Sequence, residues 1–393
     1  MTDLAARPTI PADRYADRLA AAQRIVAERG LAALLVGVGA DLRYLTGYPA
    51  MGLERLTMLV LPARGRGTLI VPRLEAAPAR LSTAVAANLV DLATWEETES
   101  AHALVARLVA ASADRGTPVD RLSVAVSDTL WASHVLRLQE VLPGPFELGS
   151  MVTRTLRMAK HPDEIELLRL AAHAADRVVD AISLGRLVGR TEADVSREVR
   201  ELLVAEGHDR ADFAIVGSGP NSSSPHHEAS DRVIGPGEPI VLDIGGPLGG
   251  YGSDTTRMLW VTGGDPSAGP PGEFLTAFDA LSRAQAAATA AVRPGVRAED
   301  VDTAARDVIA AAGLGPNFIH RTGHGIGLEP HEDPYLVAGN RETLLEGTAF
   351  SIEPGIYFEG RWGMRLEDIV VCGPDGPVVL NVSDHALRIV SGL

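Results

Sequence analysis

Residues 239–260 read Pro239-Ile-Val-Leu-Asp243-Ile-Gly-Gly-Pro247-Leu-Gly-Gly250-Tyr-Gly-Ser-Asp254-Thr-Thr-Arg257-Met-Leu-Trp260. Two apolar runs of strand length flank Gly246-Pro247-Leu248-Gly249-Gly250, which is turn chemistry, so the stretch predicts a β-hairpin. Each arm carries one acid. A carboxylate inside an apolar strand must neutralise, find a cationic partner or hold a metal. With a four-residue loop at 247–250, Asp243 falls directly opposite Asp254 and their Cβ atoms stand ~5 Å apart. At an effective dielectric of about 20, two bare charges at that spacing repel by roughly 3 kcal/mol. A divalent cation between them turns the repulsion into a site. Alternatively, one Asp caps the turn and the other pairs with Arg257; this stretch alone leaves both readings open.

Three segments further along shift the balance. His320-Arg-Thr-Gly-His324-Gly-Ile-Gly-Leu-Glu-Pro-His331-Glu332 sets three histidines in twelve positions, among glycines that let the backbone approach closely. It suggests a ligand at His324, with the other histidines contacting substrate. Ala349-Phe-Ser-Ile-Glu353-Pro-Gly-Ile-Tyr357 and Met364-Arg365-Leu-Glu367-Asp368-Ile-Val-Val371 are two more apolar strands, each interrupted by an acid. Strands seldom bury Glu without a partner. A salt bridge to Arg365 on the same face would account for Glu367, but not for all four acids. Asp243, Asp254, Glu353 and Glu367 together carry a charge that two divalent cations balance. Oxygen-rich ligation with one imidazole suits Mn, Co, Zn or Fe in the divalent state, and paired metals serve hydrolysis.

The whole-chain totals narrow the setting. At 393 residues, the length favours two or three domains. A composition of 46% hydrophobic and 22% charged residues is that of a globular protein. The net charge of −15 argues against nucleic acid or an anionic membrane as partner. The single cysteine, Cys372, rules out an intrachain disulfide. Met1-Thr2-Asp3-Leu4 opens no signal-peptide pattern, and no apolar run reaches the ~18 residues of a membrane span. Cytoplasmic residence is the expectation.

An α/β domain is expected over residues 1–155. A helical pattern covers 11–29 and stops at Gly30, and short apolar runs at 33–36, 57–61, 68–71 and 122–126 read as strands. The alanine-rich stretch 97–111 reads as helix. No cluster of metal-ligating residue types falls in this part, so it is expected to be a scaffold or subunit-contact domain. The second domain is expected at 156–393, with a long helix starting at Pro162-Asp163-Glu164. A shift of 106 superposes Gly189, Asp194, Val195, Arg200, Ala205 and Gly207 on Gly295, Asp300, Val301, Arg306, Ala311 and Gly313. That is the grammar of a duplicated unit whose halves pack around a central site.

Taken together, the motifs resemble the metal-dependent pita-bread peptidases, in the Xaa-Pro branch of prolidases and Xaa-Pro aminopeptidases. They are Asp243-Ile-Gly with Gly250-Tyr-Gly-Ser-Asp254-Thr-Thr-Arg257, Gly323-His324-Gly-Ile-Gly-Leu with His331-Glu332, Ser351-Ile-Glu353-Pro-Gly, and Arg365-Leu-Glu367-Asp368. Softer matches at Lys160-His-Pro-Asp-Glu-Ile and Tyr44-Leu-Thr-Gly47 extend the resemblance over nearly the whole chain.

The resemblance implies an α/β N-terminal domain and an α+β pita-bread C-terminal domain with an internal pseudo-twofold repeat. It implies two divalent metal ions, Mn first and Co or Zn as alternatives. Asp254 and Glu367 would bridge both ions, Asp243 would bind one, and His324 and Glu353 the other. Glu353 would also be the general base, His226 and His331 would contact substrate, and Arg365 with Tyr357 would orient Asp243. His227, adjacent to His226, competes for that role. The implied reaction is hydrolysis of an Xaa-Pro imide bond by a homodimer whose substrate is a di- or oligopeptide. A dipeptidase is placed first, an aminopeptidase acting on longer peptides second, and a non-catalytic peptide-binding module third. Methionine aminopeptidases share the cage but not the leading domain or Arg365-Leu-Glu-Asp368, and creatinase-like relatives lose the metal ligands.

Overall fold

Glycine placement and side-chain alternation account for most of the architecture. The computed structural model describes residues 7–113 and 117–393, so the reading made on Met1-Thr2-Asp3-Leu4 lies outside the described residues. The chain divides into two compact units, Ile10–Arg157 and Met158–Leu393, the latter joined by residues 7–9.

In the first unit, a six-stranded mixed sheet runs in the order Asp91–Trp95, Thr68–Pro72, Met58–Pro62, Ala33–Gly37, Val124–Val126, Phe146–Leu148. The helix Ala12–Glu28 starts after Pro11, and Gly30 follows it at φ +69°. Leu35, Val60 and Ile70 share a core with Val105 and Val109 of the helix Ala101–Ser112 and Leu138 of Ala132–Val141. The alanine-rich helix starts later than its composition predicts, because the Ser100 hydroxyl caps it by accepting from the Ala103 amide at 3.2 Å. The last expected strand is shorter than its apolar run: a 3-10 turn at Val119–Arg121 precedes it, and the paired strand covers Val124–Val126.

The second unit is built twice. Helices Pro162–Leu184 and Glu192–Ala205 cover a four-stranded sheet ordered Arg388–Val390, Tyr251–Val261, Glu238–Leu248, Phe213–Ser218. Helices Gly272–Ala291 and Ala298–Ala311 cover a five-stranded sheet ordered Glu332–Leu336, Gly323–Gly325, Ala349–Ile352, Asp368–Gly373, Gly376–Val379. Glu192–Ala205 and Ala298–Ala311 are offset by 106 residues at both ends. Their flanking glycines repeat the left-handed backbone as well, Gly189 at +79° with Gly295 at +86°, and Gly207 at +111° with Gly313 at +77°. The sequence repeat is therefore a structural one, and the unit has the pita-bread arrangement.

The two sheets meet at an isolated bridge, Thr256 to Glu367, where the Glu367 amide donates to the Thr256 carbonyl at 3.2 Å. Alternation then places the acids. Ile240, Leu242 and Ile244 join the helix-covered core of the first half, so Asp243 points from the opposite face. Val241 and Met258 on that face pack into the core of the second half. Farther along it lie Asp243, Thr256 and Asp254. In the second half, Phe350, Ile352, Leu366 and Val370 are core, and Ser351, Glu353 and Glu367 alternate with them.

Candidate metal centre

The hairpin closes more tightly than a four-residue loop would. Leu248 pairs with Tyr251, leaving Gly249 and Gly250 as a two-residue turn with φ of +60° and +92°. Two successive positive φ values match the twist of a tight hairpin, and glycine adopts them without strain. The register therefore shifts by two: Asp243 faces Thr256, and Asp254 faces Gly245. Asp243 and Asp254 are diagonal neighbours on one face instead of direct partners. An even shift preserves the face.

Asp243, Asp254, His324, Glu353 and Glu367 all line one cavity of about 810 Å³. One ligand atom from each of Asp254, His324 and Glu367 lies within 4.8 Å of the others. His324 Nε2 stands 3.0 Å from Glu353 Oε1 and 3.6 Å from Asp254 Oδ2. The His324 ring is turned that way because its Nδ1 faces the Gly325 carbonyl at 3.2 Å. Gly323 and Gly325 are forced by crowding: a Cβ on Gly323 would meet the Ser351 carbonyl oxygen at 1.9 Å, and one on Gly325 the Asp333 carbonyl oxygen at 2.2 Å.

Of the two arginines, Arg365 pairs with Asp243 and stands 4.0 Å from Glu353, and neither pairs with Asp254 or Glu367 among the described residues. Arg257 is bound elsewhere, donating to Asp368 Oδ1 at 2.7 Å and to the carbonyls of Glu367, Ser383 and Asp384. Glu367 is not paired with Arg365 either. Residues 364–371 are two strands, Trp362–Arg365 and Asp368–Gly373, broken at Leu366-Glu367; both side chains line the cavity, but they meet through the Thr256 hydroxyl, to which Arg365 Nε donates at 3.1 Å, and form no ion pair among the described residues. Glu367 Oε2 accepts instead from the Thr256 hydroxyl at 2.6 Å. Arg365 donates through Nη2 to Asp243 Oδ2 and through Nη1 to the Tyr357 hydroxyl at 2.7 Å. Tyr357 continues the chain to His320 Nε2 at 3.0 Å, and His320 Nδ1 faces the Arg321 carbonyl at 2.7 Å. Burial, against the pull of Arg365, pushes the Tyr357 phenol up to about 12.

The electrostatics suit a cation. Burial, and then the charges of Glu367, Asp243 and Glu353, push Asp254 well above the usual carboxylate range. Glu367 is raised in the same way by burial and by Glu353 and Asp243. Burial raises Asp243 too, against the pull of Arg365. For Glu353, burial is outweighed by His324, His320 and Arg365, which hold the carboxyl at about 2. Asp243 Oδ1 is buried with no hydrogen-bond partner among the described residues. An orphaned carboxylate oxygen beside two acids that resist ionisation fits a divalent cation in the donor set, and oxygen-rich ligation with one imidazole suits a first-row metal.

The remaining predicted residues fall on the cavity wall. His331 packs edge-on against His324 with ring centroids 4.0 Å apart, and burial followed by the charge of His324 lowers it to about 4. His226 lines the cavity with Ser224 and Pro225, while His227 turns away and pairs with Glu192 at 2.7 Å. Sequence reasoning gave His320 only a general expectation of substrate contact and gave Arg321 and Glu192 no place; His320 lines the cavity and is bonded to Tyr357. The only signal for the first two was their position in the segment that carries His324.

The family model described as Metallopeptidase family M24 matches residues 166–374, and that described as Creatinase/Prolidase N-terminal domain matches residues 18–159. Over 380 residues the chain is 47% identical to "Probable dipeptidase PepE" of Mycobacterium tuberculosis, spanning 96% of this chain and 97% of the relative. The crystal structure of Dipeptidase PepE from Mycobacterium ulcerans superposes with a TM-score of 0.89 at 45% identity, covering 97% of this chain and 99% of that one. The recombinant prolidase from Thermococcus sibiricus superposes with a TM-score of 0.87 at 32% identity, covering 96% and 99%. Among the described residues, no helix is long and apolar enough to cross a membrane.

Proposed function

The chain belongs to metallopeptidase family M24, and from that premise we propose that it is an Xaa-Pro dipeptidase. The observation that carries the reading is the convergence of three buried carboxylates, the partly buried Glu353 and one imidazole on a single cavity, with Asp243 Oδ1 left unpartnered among the described residues. Two divalent cations, manganese by preference, would be held by Asp243, Asp254, His324, Glu353 and Glu367. When bound, they supply Lewis acidity to a carbonyl oxygen and acidify a water. Glu353, ionised at neutral pH, takes the proton of the attacking water and delivers it to the departing proline nitrogen. His331, neutral at that pH, and His226 donate hydrogen bonds to the oxygen on which charge develops. Arg365, braced by Tyr357, holds the Asp243 carboxylate in place.

Proline as leaving group follows from its imide, which lacks the N–H that a general peptidase grips. Relatedness to a prolidase supports it. Arg321 favours a dipeptide. It lines the cavity with its guanidinium over the Tyr335 ring, 4.3 Å from the centroid, and pairs with no carboxylate among the described residues. A free α-carboxylate suits such a cation. We place the enzyme in the cytoplasm as a homodimer with the leading domain as contact surface. Hydrolysis of Ala-Pro but not Ala-Pro-Ala by protein supplied with Mn²⁺ is the expected result. Turnover of the tripeptide would make the enzyme an aminopeptidase, and turnover of neither would leave a peptide-binding module.

A further inference from the structure

The cavity wall at 224–226 belongs to the long connection between the strands Phe213–Ser218 and Glu238–Leu248, and one buried side chain grips that connection along its length. Glu192 opens the helix Glu192–Ala205 and is 0% exposed. A glutamate in the first helical turn ordinarily faces water. Here Oε1 accepts from the Ser218 amide at 2.8 Å and hydroxyl at 2.7 Å. Oε2 accepts from His227 Nε2 at 2.7 Å and from the Ser230 hydroxyl at 2.7 Å and amide at 3.1 Å. Asn221 Nδ2 reaches both oxygens at 3.1 Å. This network outweighs burial and holds the carboxyl at about 2, so Glu192 sits charged in the interior.

The far side of the same connection is held by the strand Trp362–Arg365. The Gly363 amide donates to Ser222 Oγ at 2.9 Å, and both Arg365 terminal nitrogens approach the Pro225 carbonyl at 3.4 Å. His226 stands between these anchors, exposed to the cavity, while its neighbour is fastened inward.

We propose that Glu192 and His227 are positioning residues for His226: by binding His227 inward, the buried carboxylate fixes the backbone that presents His226 to the substrate. The inference rests on the Xaa-Pro hydrolase reading for its kinetic arm only. The adjacent histidines divide the labour, one as tether and the other as contact. Glutamine at 227 can still donate to Glu192 from its amide, whereas leucine cannot.

The test compares His227→Leu, His227→Gln, His226→Ala and the double variant with leucine at 227 and alanine at 226, all loaded with Mn²⁺. On Ala-Pro, His227→Leu is expected to lose kcat on the order of 10- to 100-fold with metal content unchanged. His227→Gln is expected to regain most of that loss. With His226 already replaced by alanine, the leucine substitution should add nothing, because the tether then has nothing to position. Amide hydrogen exchange across 219–230 should quicken in His227→Leu and stay at the wild-type rate in His227→Gln. Ser230→Ala, which removes one hydroxyl donor to Glu192, stands in if leucine at 227 prevents folding, and should quicken the same amides. Full activity in His227→Leu, or a loss of equal size with and without His226, overturns the proposal, as does unchanged exchange. Should the wild-type protein cleave no dipeptide, the functional reading falls and the exchange measurement alone decides this one.

Discussion

Arg365 and Asp243 are joined by a buried charge-assisted hydrogen bond from Nη2 to Oδ2, and the second carboxylate oxygen, Oδ1, has no partner among the described residues. One oxygen is held and the other is offered. Arg365 is itself fixed by the Tyr357 hydroxyl, so the offered oxygen has one orientation. Replacing Arg365 by methionine should lower Mn²⁺ affinity about 10- to 100-fold, read by calorimetric titration. Arg365→Lys should not rescue it, because an ammonium cannot reach Asp243 and Tyr357 together in the fork geometry.

On the proposed reading, metal and protons compete for Asp254 and Glu367. Both carboxyls are raised by burial and by their neighbours' charges, so the metal-free folded chain binds more protons than the unfolded chain above the ordinary carboxylate pKa. Its stability therefore falls as pH rises through that range, and metal binding strengthens over the same range. The Tm difference between Mn²⁺-loaded and chelator-treated protein should widen from pH 5 to pH 8. A constant difference would remove these two groups from the metal site.

Glu353 is expected to carry the proton. Glu353→Gln keeps the shape and one oxygen but cannot act as a base. It should cut kcat on Ala-Pro by at least about 100-fold in steady-state assays while circular dichroism stays unchanged. Weaker metal binding would accompany the loss, so activity should be measured at saturating Mn²⁺.

His208 contributes a separate pH dependence. It is buried between the Leu203 carbonyl at 3.1 Å and Ser253 Oγ at 2.8 Å, and burial lowers it to about 4. A histidine that folds neutral lets the unfolded chain bind more protons between that value and 6.5, so stability rises with pH across the window. The contribution is on the order of 3 kcal/mol, lost as pH falls from 6.5 to about 4. Denaturant titrations of His208→Gln should show a correspondingly flatter profile over that window.

Much of this was legible in the sequence, for a physical reason. An acid inside an apolar strand is a conspicuous violation, and Asp243, Glu353 and Glu367 each stood out that way. The hairpin register was not legible, because Gly246-Pro247-Leu248-Gly249-Gly250 can close in more than one way and only the backbone angles of Gly249 and Gly250 decide. The strand Asp91–Trp95 was missed because its partly exposed face shows no clean apolar alternation. Glu192 drew no notice in the sequence, because its partners at 218, 221, 227 and 230 are brought to it by the fold. The chain from His320 through Tyr357 to Arg365 likewise links residues that sequence spacing does not connect.

The most direct test is a crystal structure of the Mn²⁺-loaded protein with anomalous diffraction recorded at the manganese edge. Two peaks about 3.5–4 Å apart, enclosed by Asp243, Asp254, His324, Glu353 and Glu367, are the expected result. No peak there, or strong peaks only at other side chains, would contradict the account.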